Sequence, residues 1–253
     1  MKRLLIVGIG PGNPDYVTVQ AIEALNRVDV FFVVDKGSEK DDLVQLRREI
    51  LDRYVENRPY RVVRIPDPER DRTAADYHGA VVAWRTQRTD RYERALRDEL
   101  GEDECGAFLV WGDPSLYDGT IVMVDEIIAR GNIRIEHEVI PGISSVQALA
   151  AKHKIPLNRI GESIQITTGR RLAHGFPAEA ENVVVMLDGA CTFKQVAEPG
   201  MEIYWGAYVS SEDEILRAGE VLEVQDEIEQ VRADARRRHG WIMDTYLLRR
   251  KPE

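Results

Sequence analysis

Short apolar runs alternate with helical stretches along the first half of the chain. The runs at residues 4–9 and 106–111 are continuous, and the run at residues 28–34 is interrupted only by Asp29, as is typical of strands buried on both faces. Between them, apolar residues recur at helical spacing, for example at residues 17–26 and 42–54. Buried strands joined by helices predict a sheet covered on both faces, so the fold class is α/β. Further strands are predicted at residues 61–65 and 133–140, and further helices at residues 74–100, 121–130 and 144–152.

The second half of the chain is richer in strands and turns, which indicates a second domain. We place the boundary at Pro141, so that residues 1–140 form an N-terminal α/β domain and residues 141–253 a C-terminal α/β domain. In the second domain, strands are predicted at residues 163–168, 183–187, 203–209, 214–222 and 241–248, and a helix at residues 226–237.

The composition argues against several classes of partner. With 44 acidic and 34 basic side chains the net charge is −10, so a long polyanion such as nucleic acid is not expected to bind. The apolar runs are far shorter than the roughly 20 residues of a membrane-spanning helix. Cys105 and Cys191 have no CxxC motif or histidine cluster beside them, which gives no support for a disulfide framework or a metal site. We therefore expect a cytoplasmic protein that binds neither nucleic acid, membrane nor metal.

The positive charge is concentrated in one segment. Residues 58–97 contain ten arginines, no lysine and six acids, a local charge of +4 that leaves −14 for the rest of the chain. These arginines either form ion pairs on a solvated helix face, or some of them bind the carboxylates of an acidic small molecule.

Three loops carry the motifs that point to chemistry. The first is Gly-Ile-Gly-Pro-Gly-Asn-Pro at residues 8–14, directly after the first predicted strand. Its three glycines allow a ligand to approach the backbone closely. A dinucleotide-binding fingerprint needs GxGxxG, but here the third glycine comes one residue early, at Gly12. A simple tight turn is the alternative interpretation.

The other two loops also follow predicted strands. Gly-Asp-Pro-Ser-Leu-Tyr at residues 112–117 lies at the carboxyl end of a strand, where open α/β sheets bind their ligands. Pro-Gly-Ile-Ser-Ser at residues 141–145 leads into a helix. The alternatives are a proline turn capped by Asp113 for the second loop, and a helix N-cap at either serine for the third.

In this order and spacing, the three loops and Thr18 resemble those of the tetrapyrrole methylases, enzymes that use S-adenosylmethionine to methylate intermediates of cobalamin and sirohaem synthesis. The resemblance implies two α/β domains of the class III methyltransferase type, with the cofactor in the cleft between them, and a homodimer. By family position, the cofactor-binding residues are Pro11, Gly112, Asp113, Leu116, Ser144, Ser145, Leu187 and Ala207. Leu187 departs from the methionine that relatives often carry there.

Stretches that lie mostly outside these loops resemble one branch of the family. They are residues 19–26, 35–37, 42–48 and 109–118. The resemblance implies methylation of ring carbon 1 of precorrin-5 with release of the acetyl group as acetate. The alternatives are another precorrin C-methyltransferase, a methyltransferase of RNA or a protein side chain on the same scaffold, and a non-catalytic nucleotide- or tetrapyrrole-binding module.

Candidate catalytic and substrate-binding residues follow from this chemistry. Deacetylation needs a base or a positioned water, for which Asp35 and Tyr117 are the candidates; for Asp35 a strand-end ion pair is the alternative. His78 titrates near neutral pH, but on an apolar helix it is more often packed or solvated. Because a precorrin carries many carboxylates, we expect contacts from the arginine-rich segment, with Arg70, Arg72, Arg85 and Arg88 as candidates.

Overall fold

The computed structural model describes residues 1–35, 41–56, 59–69 and 76–250, and its chain divides into two compact units. The first consists of Met1–Gly10 and Pro14–Ile143, and the second of Pro11–Asn13 and Ser144–Glu253. The predicted domain boundary at Pro141 stays a prediction; in this division the second unit resumes at Ser144.

The first unit is built on a parallel sheet of five strands. They are β1 (Lys2–Gly8), β2 (Val30–Asp35), β3 (Arg61–Pro66), β4 (Cys105–Val110) and β5 (Ile135–Ile140), in the order β3-β2-β4-β1-β5. The helices that connect them are α1 (Val19–Leu25), α2 (Asp41–Tyr54), α3 (Tyr77–Glu99) and α4 (Thr120–Arg130). A short 3-10 turn at Pro14–Tyr16 precedes α1.

The helices cover both faces of this sheet. Leu5 and Val7 of β1 pack with α1 and α2 on one face, whereas Leu4 and Ile6 pack with α3 and α4 on the other. The connections leaving β1 and β2 therefore run on one face, and those leaving β3 and β4 on the other. Because β4 lies between β1 and β2, neighbouring chains diverge on both sides of its carboxyl end. Such switch points are where open α/β sheets form ligand crevices.

The second unit contains a mixed sheet of five strands. They are β6 (Ile164–Thr168), β7 (Asn182–Met186), β8 (Met201–Ala207), β9 (Ile215–Glu220) and β10 (Asp244–Arg250), in the order β6-β7-β10-β8-β9. Only the β6–β7 pair is parallel. The helices are α5 (Ser145–His153), α6 (Gly169–Leu172) and α7 (Val221–His239), with a 3-10 turn at Thr192–Gln195. Trp205 and Tyr246 form the centre of its core.

The predicted α/β class is confirmed, and several predicted element bounds are wrong. The last helix begins at Val221, not at residue 226, because Val221, Ile228 and Ala235 share one buried helical face. Residues 221–222 are therefore helix and not strand. The last strand begins at Asp244 rather than at residue 241, and α6 was not predicted. Among the described residues, no helix is both long and apolar enough to cross a bilayer.

Arg130 links the two helices that cover one face of the first sheet. Its guanidinium pairs with Asp90 at 2.7 Å and Glu93 at 2.8 Å on α3, and with Glu126 at 3.0 Å on α4. Glu93 is buried and also accepts a hydrogen bond from Asn132 at 2.7 Å. Burial alone raises the pKa of Glu93, but the hydrogen bonds from Arg130 and Asn132 outweigh it and lower the pKa below its usual range.

We expect Arg130→Gln to lower the free energy of unfolding by about 1–3 kcal/mol at pH 7, because Glu93 stays buried without its cation. A lowered pKa stabilises the fold above the unfolded-state pKa, and this stabilisation is lost as the pH falls through the folded-state value. The difference between variant and wild type should therefore shrink below about pH 4. Urea unfolding at pH 7 and below about pH 4 measures this difference in the free energy of unfolding. Arg27→Gln, which removes an exposed ion pair with Glu138, is the control; equal losses in both variants would contradict the prediction.

Candidate functional site

The first two motif loops are joined by their backbones at the carboxyl ends of β1 and β4. Gly10 donates its N–H to the Gly112 carbonyl at 3.3 Å, and Gly112 donates to the Gly10 carbonyl at 2.8 Å. Both glycines have positive φ, 81° and 68°, which other residues rarely adopt. Thr18 caps α1 by accepting a hydrogen bond from the N–H of Ala21. The first loop is thus held at both ends.

Asp113 ties the second motif loop to the third. Its Oδ2 accepts a hydrogen bond from the N–H of Gly142 at 2.8 Å, and its Oδ1 accepts from the N–H of Ser115 at 2.8 Å. Burial raises the pKa of Asp113, but the hydrogen bonds from Ser115 and Gly142 lower it below its usual range. The carboxylate is therefore ionised at neutral pH and engaged in holding the loops, which is the capped-turn role that the motif allowed.

Two glycines let the three loops touch. A Cβ on Gly142 would collide with the Gly112 carbonyl oxygen, and a Cβ on Gly8 would lie 2.6 Å from the Gly142 nitrogen. Neither position has room for a side chain. The junction of the three loops is consequently made of backbone groups and the single carboxylate of Asp113.

The second loop ends in a strained residue. Tyr117 has φ 53°, unusual for an aromatic residue, and its side chain is 47% exposed. Asp118, two residues before α4 begins, accepts a hydrogen bond from the N–H of Thr120 at 2.7 Å. Strained backbone that is held in place by its surroundings is concentrated at functional sites, so Tyr117 remains a candidate catalytic residue. Leu116, which donates its N–H to the Asp113 carbonyl, is partly exposed beside it.

In the second unit, the serines of the third motif begin α5. Ser144, 4% exposed, is the N-cap: its Oγ accepts a hydrogen bond from the N–H of Val146, and the side chain of Gln147 accepts from the N–H of Ser144. Ser145 is the first helical residue and is partly exposed. The structure therefore gives Ser144 the helix-capping role that its position allowed.

Pro11 and Ala207 are both buried in the second unit. The glycine after Pro11 lies against the chain that follows β8, where a Cβ on Gly12 would stand 3.2 Å from the Val209 carbonyl oxygen. Ala207 is fully buried in the core, so the structure does not bring its side chain to the surface.

The turn after β7 displays an apolar side chain. Leu187 has φ 54° and is 68% exposed, whereas the next residue, Asp188, is 4% exposed. Asp188 accepts hydrogen bonds from the Tyr246 hydroxyl at 2.7 Å, from the Thr192 N–H at 2.6 Å and from the Ala190 N–H at 2.9 Å. Burial raises the pKa of Asp188, but these bonds lower it below its usual range. Asp188 is not among the residues predicted from the sequence, although an acid directly after a buried run is a detectable turn signal.

The candidate base Asp35 lies at the carboxyl end of β2. Its carboxylate is partly exposed and stands 4.0 Å from the Arg64 guanidinium, so the ion-pair alternative is present. Asp35 is the last residue of β2, and Tyr117 follows β4, the neighbouring strand in the sheet. The side chain of His78 lies outside the described residues.

The structure separates the candidate arginines. Arg70 and Arg72 lie outside the described residues. Arg85 is exposed on α3, whereas Arg88 pairs with Asp67 at 3.1 Å, donates to the Tyr92 hydroxyl at 3.0 Å and lies over the Trp84 ring. Burial is the main reason why the pKa of Tyr92 rises to about 12, so its hydroxyl is neutral. Arg88 is therefore already engaged by Asp67 and by two residues of its own helix, and its contact with substrate stays a prediction.

Metal ligands are not gathered in the described part of the chain. No three His, Cys, Asp or Glu side chains among those residues are arranged to hold a metal ion.

Comparison with known proteins gives matches that cover most or nearly all of the chain. Residues 3–225 match the family model of the tetrapyrrole (corrin/porphyrin) methylases. A precorrin-6A synthase [deacetylating] from Sinorhizobium sp. is 51% identical over 250 residues, 99% of this chain and 96% of that protein. The crystal structure of a cobalamin synthesis related protein from Corynebacterium diphtheriae is 38% identical, covers 98% of each chain and has a TM-score of 0.84.

A more distant structure shares only the fold. Uroporphyrin-III C-methyltransferase from Thermus thermophilus, in complex with S-adenosyl homocysteine, is 17% identical with a TM-score of 0.59, and the match covers 97% of this chain and 91% of that one. The two-domain class III architecture is therefore shared.

We expect Gly142→Ala to lower the free energy of unfolding by about 1–3 kcal/mol, because the added methyl group collides with the Gly112 carbonyl and forces the loops apart. Gly119→Ala is the matched control, since Gly119 has negative φ and open space around its Cα. Thermal and urea unfolding compare the two variants, and similar stabilities would refute the packing argument.

Asp188→Asn should cost about 2–4 kcal/mol of unfolding free energy, because one carboxylate oxygen becomes an amide donor facing N–H and O–H donors. The exposed Asp226→Asn is the same substitution in the same unit and should cost under about 1 kcal/mol. Urea unfolding at pH 7 checks both, and an equal cost would exclude the proposed hydrogen-bonding role.

Proposed function

Because this chain belongs to the tetrapyrrole (corrin/porphyrin) methylases, we propose that it is an S-adenosylmethionine-dependent C-methyltransferase of cobalamin biosynthesis. Its substrate is precorrin-5; it methylates ring carbon 1 and releases the acetyl group as acetate, giving precorrin-6A. The likeness to precorrin-6A synthase along the full chain carries this proposal. The nearly full-length structural likeness to a cobalamin synthesis related protein supports it.

The motif loops fit a cofactor that is held through backbone groups. Gly8 and Gly142 leave no room for side chains, and Leu187 presents an exposed apolar group from a strained turn. In this proposal Gly112, Asp113 and Leu116 of the first unit contact the cofactor. In the second unit the proposed contacts come from Pro11, Ser144, Ser145, Leu187 and Ala207. Ser144 and Ala207 are buried, so only those of their atoms that remain accessible make this contact. When bound, S-adenosylmethionine supplies a methyl group that its sulfonium already activates.

The chain's own residues then supply alignment and proton transfer. A methyl transfer of this kind gains mainly from proximity and orientation, which the rigid junction of three loops provides. Asp113 contributes by holding that junction, since both its oxygens already accept hydrogen bonds. Removal of the acetyl group needs a base or a positioned water, and Asp35 and Tyr117 remain the proposed groups. Arg85, with Arg70, Arg72 and Arg88, is proposed to contact substrate carboxylates.

The proposal also includes the setting of the enzyme. We propose that it works in the cytoplasm as a homodimer, that it binds neither nucleic acid nor membrane, and that its two domains meet at Pro141. Sedimentation at several concentrations tests the dimer directly.

The decisive assay incubates the protein with methyl-labelled S-adenosylmethionine and precorrin-5. We expect methyl incorporation and acetate release in equal amounts. Methylation without acetate would indicate another precorrin methyltransferase of the same family, and no transfer to any precorrin would reject the proposed function.

The catalytic candidates are separated by Asp35→Asn and Tyr117→Phe. Loss of a general base should slow acetate release by roughly 100-fold or more while the affinity for S-adenosyl homocysteine stays unchanged. Asp103→Asn, at a fully exposed site near the amino ends of the strands, is the control. A variant that releases acetate at the wild-type rate removes that residue from the catalytic role.

A further inference from the structure

The carboxyl ends of β2 and β4 are not paired with each other, and the position between these two ends is called the crevice. The two strands pair only from Val30 to Phe32 and from Gly106 to Phe108, although β2 continues to Asp35 and β4 to Val110. Their following connections run to opposite faces of the sheet, α2 on one and α4 on the other. This is the geometry in which parallel sheets open a binding site.

Arg47 reaches into this crevice from α2. Its Nε donates a hydrogen bond to the Leu109 carbonyl at 3.2 Å, one residue beyond the last β2–β4 pair. The next carbonyl, that of Val110, accepts from Ile9 on the β1 side. Because successive carbonyls alternate along a strand, the Leu109 carbonyl points to the β2 side. The Arg47 side chain therefore lies where β2 would otherwise have continued the ladder.

The Arg47 guanidinium interacts electrostatically with two groups outside α2. Burial lowers the pKa of Arg47, whereas the interactions with Tyr92 and with the carboxylate of Asp118 raise it. Tyr92 belongs to α3, and Asp118 directly follows Tyr117, the last residue of the second motif loop. An arginine stays charged at neutral pH even when its pKa falls, so the crevice contains a permanent, partly buried cation.

We propose that Arg47 is a substrate-binding residue that takes a carboxylate of the tetrapyrrole in the crevice between the carboxyl ends of β2 and β4. The identity of the substrate rests on the proposed function. The bond from Nε to a fixed backbone carbonyl orients the plane of the guanidinium, which is how arginine is prepared to bind a carboxylate. Partial burial strengthens that attraction relative to an exposed arginine such as Arg85.

Arg47 and Leu109, which are joined by this hydrogen bond, belong to the stretches 42–48 and 109–118. Both stretches distinguish the branch that the sequence resembles, yet neither lies wholly within a cofactor motif. A shared carboxylate-binding role accounts for the position of Arg47 in the first and for its contact with Leu109 in the second.

The test uses uroporphyrin III, a stable tetrapyrrole with eight carboxylates, as the probe, so that binding is measured without turnover. We expect Arg47→Gln to bind it roughly 10- to 100-fold more weakly, as loss of a charge-assisted hydrogen bond predicts. Arg47→Lys, which keeps the charge without the planar fork, should lose less. Arg48→Gln is the matched control, because Arg48 is the exposed neighbour on the same helix. Binding of the octamethyl ester should be the same in all four proteins.

Separate measurements identify the outcomes that overturn the proposal. Equal weakening by Arg48→Gln would assign the effect to net charge, and wild-type binding by Arg47→Gln would exclude the contact. If Arg47→Gln does not fold, the test uses Arg47→Lys instead. The proposal is overturned if Arg47→Lys binds uroporphyrin as tightly as the wild-type protein does. Loss of S-adenosyl homocysteine affinity and uroporphyrin affinity by the same factor would mean that Arg47 only holds the neighbouring loop. Failure of wild-type protein to convert precorrin-5 rejects the proposed function but leaves the Arg47 comparison valid.

Discussion

The hydrogen bond from the Gly142 N–H to the carboxylate of Asp113 is the interaction on which the candidate site depends. It joins the loops after β4 and β5, and the Gly10–Gly112 backbone bonds join the loop after β1 to the same point. The three strand ends are held in register by the sheet, so the loops need only one carboxylate and close glycine contacts to become a single rigid surface. Chemistry that relies on alignment requires such rigidity more than it requires reactive side chains.

The first sheet could be predicted from the sequence because its strands are buried on both faces. Continuous runs such as residues 4–9 are typical of strands buried on both faces, and the glycines that mark their ends favour a strand over a helix. The second sheet was harder to predict, since Val221 and Leu222 continue an apolar strand pattern that only the tertiary core converts into helix. Short apolar segments do not distinguish the two structures until the packing partner is known.

The site residues divide in the same way. Motif glycines and Asp113 could be found from the sequence because their roles are local. Asp188 could be marked from the sequence only as a turn acid, because its bond with Tyr246 spans 58 residues. The bond from Arg47 to Leu109 spans 62 residues, and no spacing rule reveals it. The arginine-rich segment shows the converse limit. Its charge total suggested ligand binding, yet Arg88 turned out to be paired internally with Asp67, because a sum of charges contains no information about neighbours.

A loop junction made of backbone has a consequence for how such an enzyme can diverge. Substitutions at Gly8 or Gly142 are excluded by contact, so the junction offers almost no side chains for selection to alter. A related enzyme that accepts a different substrate must therefore change elsewhere, and the unpaired ends of β2 and β4 offer such a place. The geometry of methyl transfer can thus stay constant while the substrate changes, because the two depend on adjacent parts of one sheet edge.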